Sequence, residues 1–327
     1  MIIVTGGAGF IGSNIVKGLN KRGLNNILVV DDLSDGNKVR NIEHCDIEDY
    51  MDKDEFISLI QRGMEFGGLK AIFHQGACSD TMESDGRFIM QTNYEYSKSL
   101  FNYCREHEIP YIYASSASVY GGGETFIEKP EHEQALNAYA YSKLLFDRYL
   151  RKNNAGANSQ VVGLRYFNVY GKGEEHKGRM ASVAYHFFNQ YHDQGFVKLF
   201  AGSGGYADGE QLRDFVWVED VVDVNLHFLE HPEVNGVFNV GTGRAQSFND
   251  VATAVLNTLE GVQKTTSDWV SEGKIQYIEF PQALIGKYQS YTKADLNNLT
   301  VAGEYTKSFA KVEEGVKAYV EQLEAER

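Results

Sequence analysis

The chain has 327 residues, of which 23% are charged and 43% are hydrophobic, a composition ordinary for a soluble globular protein of one large or two unequal domains. Its formal net charge of −14 argues against nucleic acid and anionic membranes as partners, because both select a basic surface. The first residues lack the basic region of a signal peptide, no apolar run reaches the length of a membrane span, and the three cysteines have no metal-ligand spacing, so we expect a cytoplasmic protein with free thiols and no metal site.

The first dozen residues predict a strand, a glycine turn and a helix, in that order. Residues 1–4 form a short apolar run rich in β-branched side chains, which is typical of a buried strand. Gly6, Gly9 and Gly12 follow at intervals of three residues, and apolar residues recur at helical spacing over 11–19. In that context the glycines are typical of a dinucleotide-binding turn, in which the backbone approaches a pyrophosphate at the N-terminus of the helix.

A second predicted strand, over 26–30, leads into Asp31, which lies about 20 residues beyond Gly12. An acidic residue at this distance accepts hydrogen bonds from the adenosine ribose hydroxyls of a dinucleotide. Lys38 and the nearby Arg40 supply positive charge that would neutralise a 2′-phosphate. The residues by themselves therefore leave NAD and NADP both open.

Strands and helices alternate through the first half of the chain. Apolar runs over 70–74, 110–114 and 160–165 predict strands, and helical spacing such as that over 94–107 lies between them. This alternation predicts an α/β fold, a Rossmann-type doubly wound parallel sheet with a smaller interleaved α/β substrate domain. Such a fold binds ligands at the carboxyl ends of its strands, where the sequence places Gly6, Asp31, Gly76, Ser116 and Asn168.

The second half of the chain differs from the first in composition and in its order of predicted elements. Residues 171–178 and 201–210 are rich in glycine and predict loops. Residues 214–218 and 236–241 predict strands, and 221–229 predict a helix. Sheet elements therefore return after the loops.

This order of elements predicts two interleaved domains. Residues 1–167 and 214–245 would form the nucleotide-binding domain, and residues 168–213 and 246–327 the smaller substrate domain. The helical spacing over 312–325 carries acidic residues and predicts a solvated surface helix.

Tyr139 and Lys143 are candidate catalytic residues, because their spacing of four places both on one face of a helix. A nearby ammonium favours the phenolate and predicts a lowered pKa for Tyr139, which suits a general base. Ser116 follows a predicted strand and can hydrogen-bond the same substrate oxygen. Tyr141 would point to a different helix face from Lys143, which favours Tyr139. Cys78 is a conceivable nucleophile, but a small buried hydrophobe is the better interpretation.

Several stretches together resemble one protein family nearly from end to end. They are TGGAGFIG over 5–12, FHQGACS over 73–79, Ser116, the Tyr139–Lys143 pair, RYFNVYG over 165–171, EHKG over 175–178, MASVA over 180–184 and GKYQ over 286–289. They are similar to the motifs of extended short-chain dehydrogenase/reductases that act on nucleotide sugars, and most of all to epimerases of an ADP-linked heptose. The resemblance implies one tightly bound NADP per subunit, with NAD as the other possibility, an ADP-sugar substrate, and a homopentamer.

The resemblance also implies which residues form the site. Tyr139 and Lys177 would be the two catalytic acid/bases, with Ser116 and Lys143 beside them. Nucleotide contacts would come from Gly6, Gly9, Phe10, Ile11, Gly12, Asp31, Asp32, Lys38, Lys53, Gln75, Gly76, Ala77, Cys78, Ser79, Thr92, Asn93, Lys143 and Val169. Substrate contacts would come from Ser116, Asn168, Arg179, His186, Phe200, Ala201, Gly202, Ser203, Arg213 and Tyr288.

The chain departs from the family pattern at a few positions. Ala140 replaces a usual glycine, and Thr92 stands where asparagine is common. Arg179 occupies a position that is usually serine, and Ala201 one that is usually glutamate. Residues 204–210 and 262–273 have the character of insertions, which we expect to lie in surface loops.

Related reactions differ in the residues they need. A 4,6-dehydratase carries an acidic pair after the catalytic hydroxyl, whereas this chain has Ala117 and Ser118 there. A UDP-sugar 4-epimerase uses the same serine and tyrosine but does not need Lys177, and it is the alternative function. A non-catalytic NAD(P)-binding sensor is a further alternative, against which the intact catalytic candidates argue.

Overall fold

The computed structural model describes residues 1–154, 158–281 and 289–327. In these ranges the strands are β1 (Ile2–Thr5), β2 (Ile27–Asp31), β3 (Asp49–Asp52), β4 (Ala71–His74), β5 (Tyr111–Ser116), β6 (Val161–Tyr166), β7 (Asn168–Tyr170), β8 (Val197–Phe200), β9 (Leu212–Arg213), β10 (Phe215–Trp217), β11 (Gly236–Val240), β12 (Gln246–Ser247) and β13 (Ile275–Ile278). The α-helices are α1 (Phe10–Lys21), α2 (Lys53–Gln61), α3 (Gly86–Ile89), α4 (Tyr96–Glu106), α5 (Ala138–Asn153), α6 (Val183–Gln194), α7 (Val218–Glu230), α8 (Phe248–Glu260), α9 (Thr266–Ser271), α10 (Asn297–Val301) and α11 (Val312–Glu326). A π-helical segment, Met90–Glu95, connects α3 to α4.

The central sheet has seven strands in the order β11-β6-β5-β4-β1-β2-β3. Every neighbouring pair in it is parallel. The connections change direction between β1 and β4, and at such a switch point the diverging loops leave a crevice for a ligand. The predicted doubly wound parallel sheet is therefore confirmed.

Side chains alternate between the two faces of this sheet. Ile2 and Val4 pack into one hydrophobic core, which also holds residues of α1 and α7. Ile3 packs into the other, together with residues of α2, α4 and α5. Because both faces are covered by helices, the inner strands are apolar throughout, which is why the sequence predicts them well.

Two strands differ from what the sequence pattern indicates. The pattern does not predict β3, whose residues read DYMD, because an edge strand stays partly exposed and needs no apolar run. The strand predicted over 214–218 exists as β10, but it pairs with β7 outside the central sheet. This short pairing places Asn168 and Val169 just past the end of β6.

A further hydrophobic core lies beyond the central sheet and contains residues of α6, α8, α11, β8 and β13. The prediction that residues 312–325 form a merely solvated helix is wrong for one face of α11. Val312, Val316, Tyr319 and Val320 are buried against this core, while the acidic side chains are exposed. The amphipathic spacing, rather than the charge, decides how the helix packs.

The segment 262–273 is not only a surface loop, contrary to expectation. It contains α9, whose Trp269 is 1% exposed and donates from Nε1 to Oδ1 of Asn257 at 3.0 Å. Leu299, Tyr305 and Phe309 pack into the core that also contains α1 and α7. The division into a nucleotide-binding and a substrate domain stays a prediction. None of the helices in the described ranges is long and apolar enough to cross a bilayer.

Candidate active site

A cleft of about 820 Å³ opens at the carboxyl ends of the central strands. The glycine turn forms its floor, and Gly6 has a φ of +65°, which favours glycine. A Cβ on Gly12 would lie 2.1 Å from the Gly6 carbonyl oxygen, so only glycine lets the turn and α1 approach this closely. The helix begins at Phe10 with no side-chain cap, which leaves its first N–H groups free to bind a phosphate.

Asp31 ties the end of β2 to the glycine turn. Its Oδ2 accepts a 2.8 Å hydrogen bond from the backbone N–H of Ala8, and its Oδ1 contacts Nζ of Lys38. Lys38 also donates to the carbonyl of Asp32 at 2.7 Å, and Nζ of Lys53 lies 3.5 Å from a carboxylate oxygen of Asp32. Two lysines and two aspartates therefore meet at one corner of the cleft, where the adenosine ribose of a dinucleotide would lie.

The loop after β4 forms the opposite wall. Residues 75–79 all line the cleft, as does Thr92. Asn93 is fully buried behind them and accepts a 2.8 Å hydrogen bond from the N–H of Cys78, while its amide donates to the Cys78 carbonyl at 3.0 Å and to Oγ of Ser142 at 3.2 Å. Asn93 therefore fixes the loop against α5 rather than lining the cleft itself.

Ser116, Tyr139 and Lys143 come together from β5 and α5 and line the same cleft. Ser116 accepts hydrogen bonds at its Oγ from the backbone N–H and the hydroxyl of Ser118, at 3.2 and 2.9 Å. Ser116 also acts on the Tyr139 side chain, in the direction of a lower Tyr139 pKa. Asn137 caps the N-terminus of α5, which holds Tyr139 in the first turn of that helix.

The expected lowering of the Tyr139 pKa by Lys143 is not observed. Burial raises the pKa of Tyr139, the hydrogen bond with Ser116 acts to lower it, and Cys78 adds to the increase. Nζ of Lys143 instead donates to the carbonyl of Ala114 at 2.9 Å. Burial lowers the pKa of Lys143 to about 8, against the opposing effect of Asp147.

Lys177 approaches the cleft from the predicted loop after β7. It lies in a 3-10 segment, Glu175–Met180, that has a kink at Gly178. Its Nζ lies 5.2 Å from the ring centroid of Phe10, the first residue of α1. Burial lowers the pKa of Lys177, and the neighbouring carboxylate of Glu174 opposes that change. A lysine in this environment carries a larger neutral fraction than a solvated one, as a general base requires.

The predicted substrate residues divide into two groups. Ser116, Asn168 and Arg179 line the cleft, and Arg179 pairs with Asp80 at 2.5 Å. Within the described ranges the cleft lining does not include His186, Phe200, Ala201, Gly202, Ser203 or Arg213. Tyr288, with Gly286 and Lys287 of the GKYQ stretch, lies outside the described residues.

The second group lies on α6, at the end of β8, in the loop after β8 and on β9. The ring centroids of Phe200 and Phe280 lie 5.5 Å apart, and Nη1 of Arg213 donates to the Leu212 carbonyl at 2.9 Å. The Arg213 guanidinium also lies 5.8 Å from the ring centroid of Phe248. These residues do not meet the nucleotide cleft directly in this arrangement.

Other cleft residues were not indicated by any motif. Among them are Ser34, Asp35, Asp80, Thr81, Phe88, Tyr96, Ala117, Ser118 and Thr292, whereas the cleft residues His176 and Met180 belong to the EHKG and MASVA stretches. Most lie within a few residues of a predicted contact, so the loop containing that contact was the available signal. Thr292 follows the GKYQ stretch by three residues, and its hydroxyl oxygen accepts a 3.1 Å hydrogen bond from the N–H of Asp214.

The chain is similar to known epimerases in sequence and in fold. A model of the NAD dependent epimerase/dehydratase family matches residues 2–241. The chain is 57% identical over 325 residues to the ADP-L-glycero-D-manno-heptose-6-epimerase of Thiobacillus denitrificans, covering 98% of each protein. It resembles the crystal structure of the Helicobacter pylori ADP-L-glycero-D-manno-heptose-6-epimerase with a TM-score of 0.82 and 29% identity, over 99% of this chain and 96% of that one. It also resembles the UDP-glucose 4-epimerase of Thermotoga maritima, solved with UDP-glucose, with a TM-score of 0.80 and 26% identity over 99% of both chains.

Proposed function

The chain belongs to the NAD dependent epimerase/dehydratase family, and on that premise we propose that it inverts C6 of ADP-D-glycero-D-manno-heptose to give ADP-L-glycero-D-manno-heptose. The reaction passes through a transient 6-keto sugar. The observation that carries this proposal is the meeting of Lys177 with Ser116, Tyr139 and Lys143 in one cleft beside the glycine turn. A 4-epimerase needs the serine and the tyrosine but has no use for a second base such as Lys177.

The cofactor we propose is NADP. The cradle that Gly6 and Gly12 form would be blocked by any Cβ, and the uncapped start of α1 suits a pyrophosphate, so these residues fit a dinucleotide. Lys38 pairs with Asp31 and Lys53 with Asp32, and the two lysines supply the positive charge that a 2′-phosphate needs. When bound, the nicotinamide supplies reversible hydride transfer, so the cofactor is regenerated in each cycle and stays with the protein.

Tyr139 and Lys177 serve the two configurations of the substrate. In one direction Tyr139 removes the proton from the C6 hydroxyl, while Ser116 hydrogen-bonds the same oxygen. The C5–C6 bond is exocyclic, so rotation about it brings the opposite face of the 6-keto group forward. Lys177 then protonates the oxygen as the alcohol re-forms with inverted configuration. Each base starts the reaction from one diastereomer and ends it from the other. After one turnover Tyr139 holds the proton that it removed and Lys177 has given one up, so proton exchange with solvent returns both to their starting states before the next turnover in the same direction.

The remaining features of the proposal concern substrate binding and assembly. Asn168 and Arg179 would contact the sugar from the cleft, and His186, Arg213 and Tyr288, with residues 200–203, would bind the ADP part when the two groups of residues close on the substrate. Arginine suits the diphosphate because its guanidinium makes bidentate contacts. We further propose a cytoplasmic homopentamer that supplies heptose for the inner core of lipopolysaccharide.

The direct test is a product assay. Purified protein is incubated with ADP-D-glycero-D-manno-heptose, and the C6 configuration is followed by proton NMR without added cofactor. We expect an equilibrium mixture of the two diastereomers and no other change in the sugar. Inversion at C4 of UDP-glucose, with an unchanged heptose, would instead establish the alternative 4-epimerase.

A further inference from the structure

A buried carboxylate, that of Asp147, contacts β5, the strand that ends at Ser116. Its side chain is 1% exposed. Its Oδ1 accepts a 2.9 Å hydrogen bond from the hydroxyl of Tyr113, and its Oδ2 accepts one of 3.0 Å from the hydroxyl of Ser115. Both donors belong to β5, and Ser115 immediately precedes the catalytic Ser116. Asp147 is therefore bonded to the strand that positions the reacting hydroxyl.

The same carboxylate pairs with a buried arginine. Arg165 of β6 donates to Oδ2 of Asp147 from Nε at 3.0 Å and from Nη2 at 2.9 Å. Arg165 also donates to Oε1 of Glu133 at 2.5 Å and to the hydroxyl of Tyr120 at 3.0 Å. A buried charge cluster of this kind is weak evidence for stability by itself, because desolvation offsets much of the attraction. The position of Asp147 on α5 indicates a role other than stability.

That position is one helical turn from the catalytic lysine. Tyr139, Lys143 and Asp147 follow one another at intervals of four on α5, so they lie along one face of the helix. Three hydrogen bonds fasten α5 to the end of β5: Nζ of Lys143 donates to the Ala114 carbonyl, and Asp147 accepts from Tyr113 and Ser115. Asp147 is the charged member of this series that lies farthest from the cleft.

Among the described residues, Asp147 is the negatively charged group that acts on Lys143. Asp147 acts on Lys143 from α5, and His74 faces it from β4. Tyr113 of β5 and Arg165 of β6 contact Asp147, while Cys78 and Tyr139 line the same cleft as Lys143. His74 is buried, and burial lowers its pKa to about 3, so it is neutral at physiological pH. Asp147 is therefore the anion that opposes the desolvation of the Lys143 ammonium.

We propose that Asp147 is a positioning residue of the reaction, which holds α5 against β5 and keeps the Lys143 ammonium charged next to Tyr139. The catalytic half of this inference rests on the proposed function, whereas the coupling of Asp147 to Lys143 does not. Removing the Asp147 carboxylate makes the Lys143 ammonium less favourable, so Lys143 should lose its proton at a lower pH. A carboxylate with a purely structural role would change thermal stability and leave this titration where it is.

The experiment is an NMR titration of protein labelled with carbon-13 at the lysine Cε, with the Lys143 signal assigned from its absence in Lys143→Arg. The variants are Asp147→Asn and the matched control Glu133→Gln. Glu133 has a fully buried side chain and pairs with the same arginine, but it does not act on Lys143. We expect the Lys143 midpoint to fall by roughly one pH unit or more in Asp147→Asn and to stay unchanged in Glu133→Gln.

The alkaline limb of the kcat profile for heptose epimerisation should move down by the same amount in Asp147→Asn. Equal Lys143 midpoints in wild type and Asp147→Asn, or an equal shift in both variants, would overturn the proposal. If Asp147→Asn does not fold, Asp147→Ser removes the same charge with a smaller side chain, and the midpoint should again fall; an unchanged midpoint would overturn the proposal equally. The NMR result needs no substrate, so a wild-type protein that fails to epimerise heptose would refute the proposed function alone.

Discussion

Gly12→Ala is the most severe small substitution that the nucleotide cleft offers. The added methyl would lie 2.1 Å from the carbonyl oxygen of Gly6 and 2.9 Å from Cα of Gly7, both backbone atoms that cannot rotate away. Ordinary contact begins at 3.4 Å, so the turn and α1 must separate by about 1.3 Å. Overpacking of this kind costs about 1–3 kcal/mol of unfolding free energy.

The same separation withdraws the free N–H groups of α1 from the phosphates. Losing one charge-assisted hydrogen bond costs about 1.5–3 kcal/mol, so we expect NADP affinity to fall by about tenfold or more. Calorimetric titration of nucleotide-stripped protein measures the affinity, and urea unfolding measures the stability. Gly86→Ala is the control, because a Cβ there meets nothing within 4 Å. Wild-type NADP affinity in folded Gly12→Ala would refute this account of the turn.

Three further substitutions test other parts of the account. Lys38→Ala should weaken NADP binding about tenfold and leave NAD binding unchanged. The control is Lys70→Ala, at an exposed lysine, which should change the affinity for neither cofactor. Equal losses of NADP and NAD affinity in Lys38→Ala would show that Lys38 does not meet a 2′-phosphate. Arg213→Ala should cost about 2–5 kcal/mol in the binding of the ADP-sugar, measured by calorimetry with NADP bound, and unchanged affinity would show that Arg213 does not meet the diphosphate. Burial lowers the pKa of His74 from 6.5 to about 3. Between these two pH values only the unfolded chain takes up this proton, so acid favours unfolding. The unfolding free energy should therefore fall by about 1.4 kcal/mol per pH unit as the pH drops below about 6.5. His74→Gln should lack that part of the slope, and identical pH dependence in the two proteins would contradict a neutral buried His74.

The sequence predicts the nucleotide half of the molecule well for a physical reason. Buried parallel strands are apolar throughout, and a turn that must admit a pyrophosphate accepts only glycine at Gly6 and Gly12. Local patterns therefore determine β1, α1 and β2 without reference to the rest of the chain. Ser116, Tyr139 and Lys143 follow because each lies at a fixed place on a predicted strand or helix.

What the sequence does not predict depends on contacts between distant segments. The edge strand β3 forms only because β2 offers it a partner. Trp269 of α9 is buried only because it packs into the core that contains residues of α6, α8 and α11. The pKa of Tyr139 is another example. Spacing places an ammonium on the same helix face, but burial raises the pKa of Tyr139, and Lys143 donates to a carbonyl of the neighbouring strand. Spacing along a helix predicts which side chains lie close together, but it does not predict how far each side chain is removed from water.

The role of Lys177 can be separated from simple phosphate binding because the same loop contains a control. Lys172 belongs to that loop, but its side chain is 42% exposed and pairs with Glu326, and it does not line the cleft. Lys172→Met should therefore behave as wild type in a steady-state assay of heptose epimerisation. Both variants remove one positive charge from the loop, so any difference between them reflects position.

The measurement that tests the two-base account most directly is kcat for Lys177→Met at saturating ADP-heptose. Loss of a general acid/base costs about 10²–10⁴-fold in rate, and we expect that loss in kcat with KM within a few-fold of wild type. If Lys177 only contacts a phosphate, the loss will appear in KM, and saturating substrate will restore the rate. Near-normal kcat in Lys177→Met would contradict the account and leave Tyr139 as the sole base.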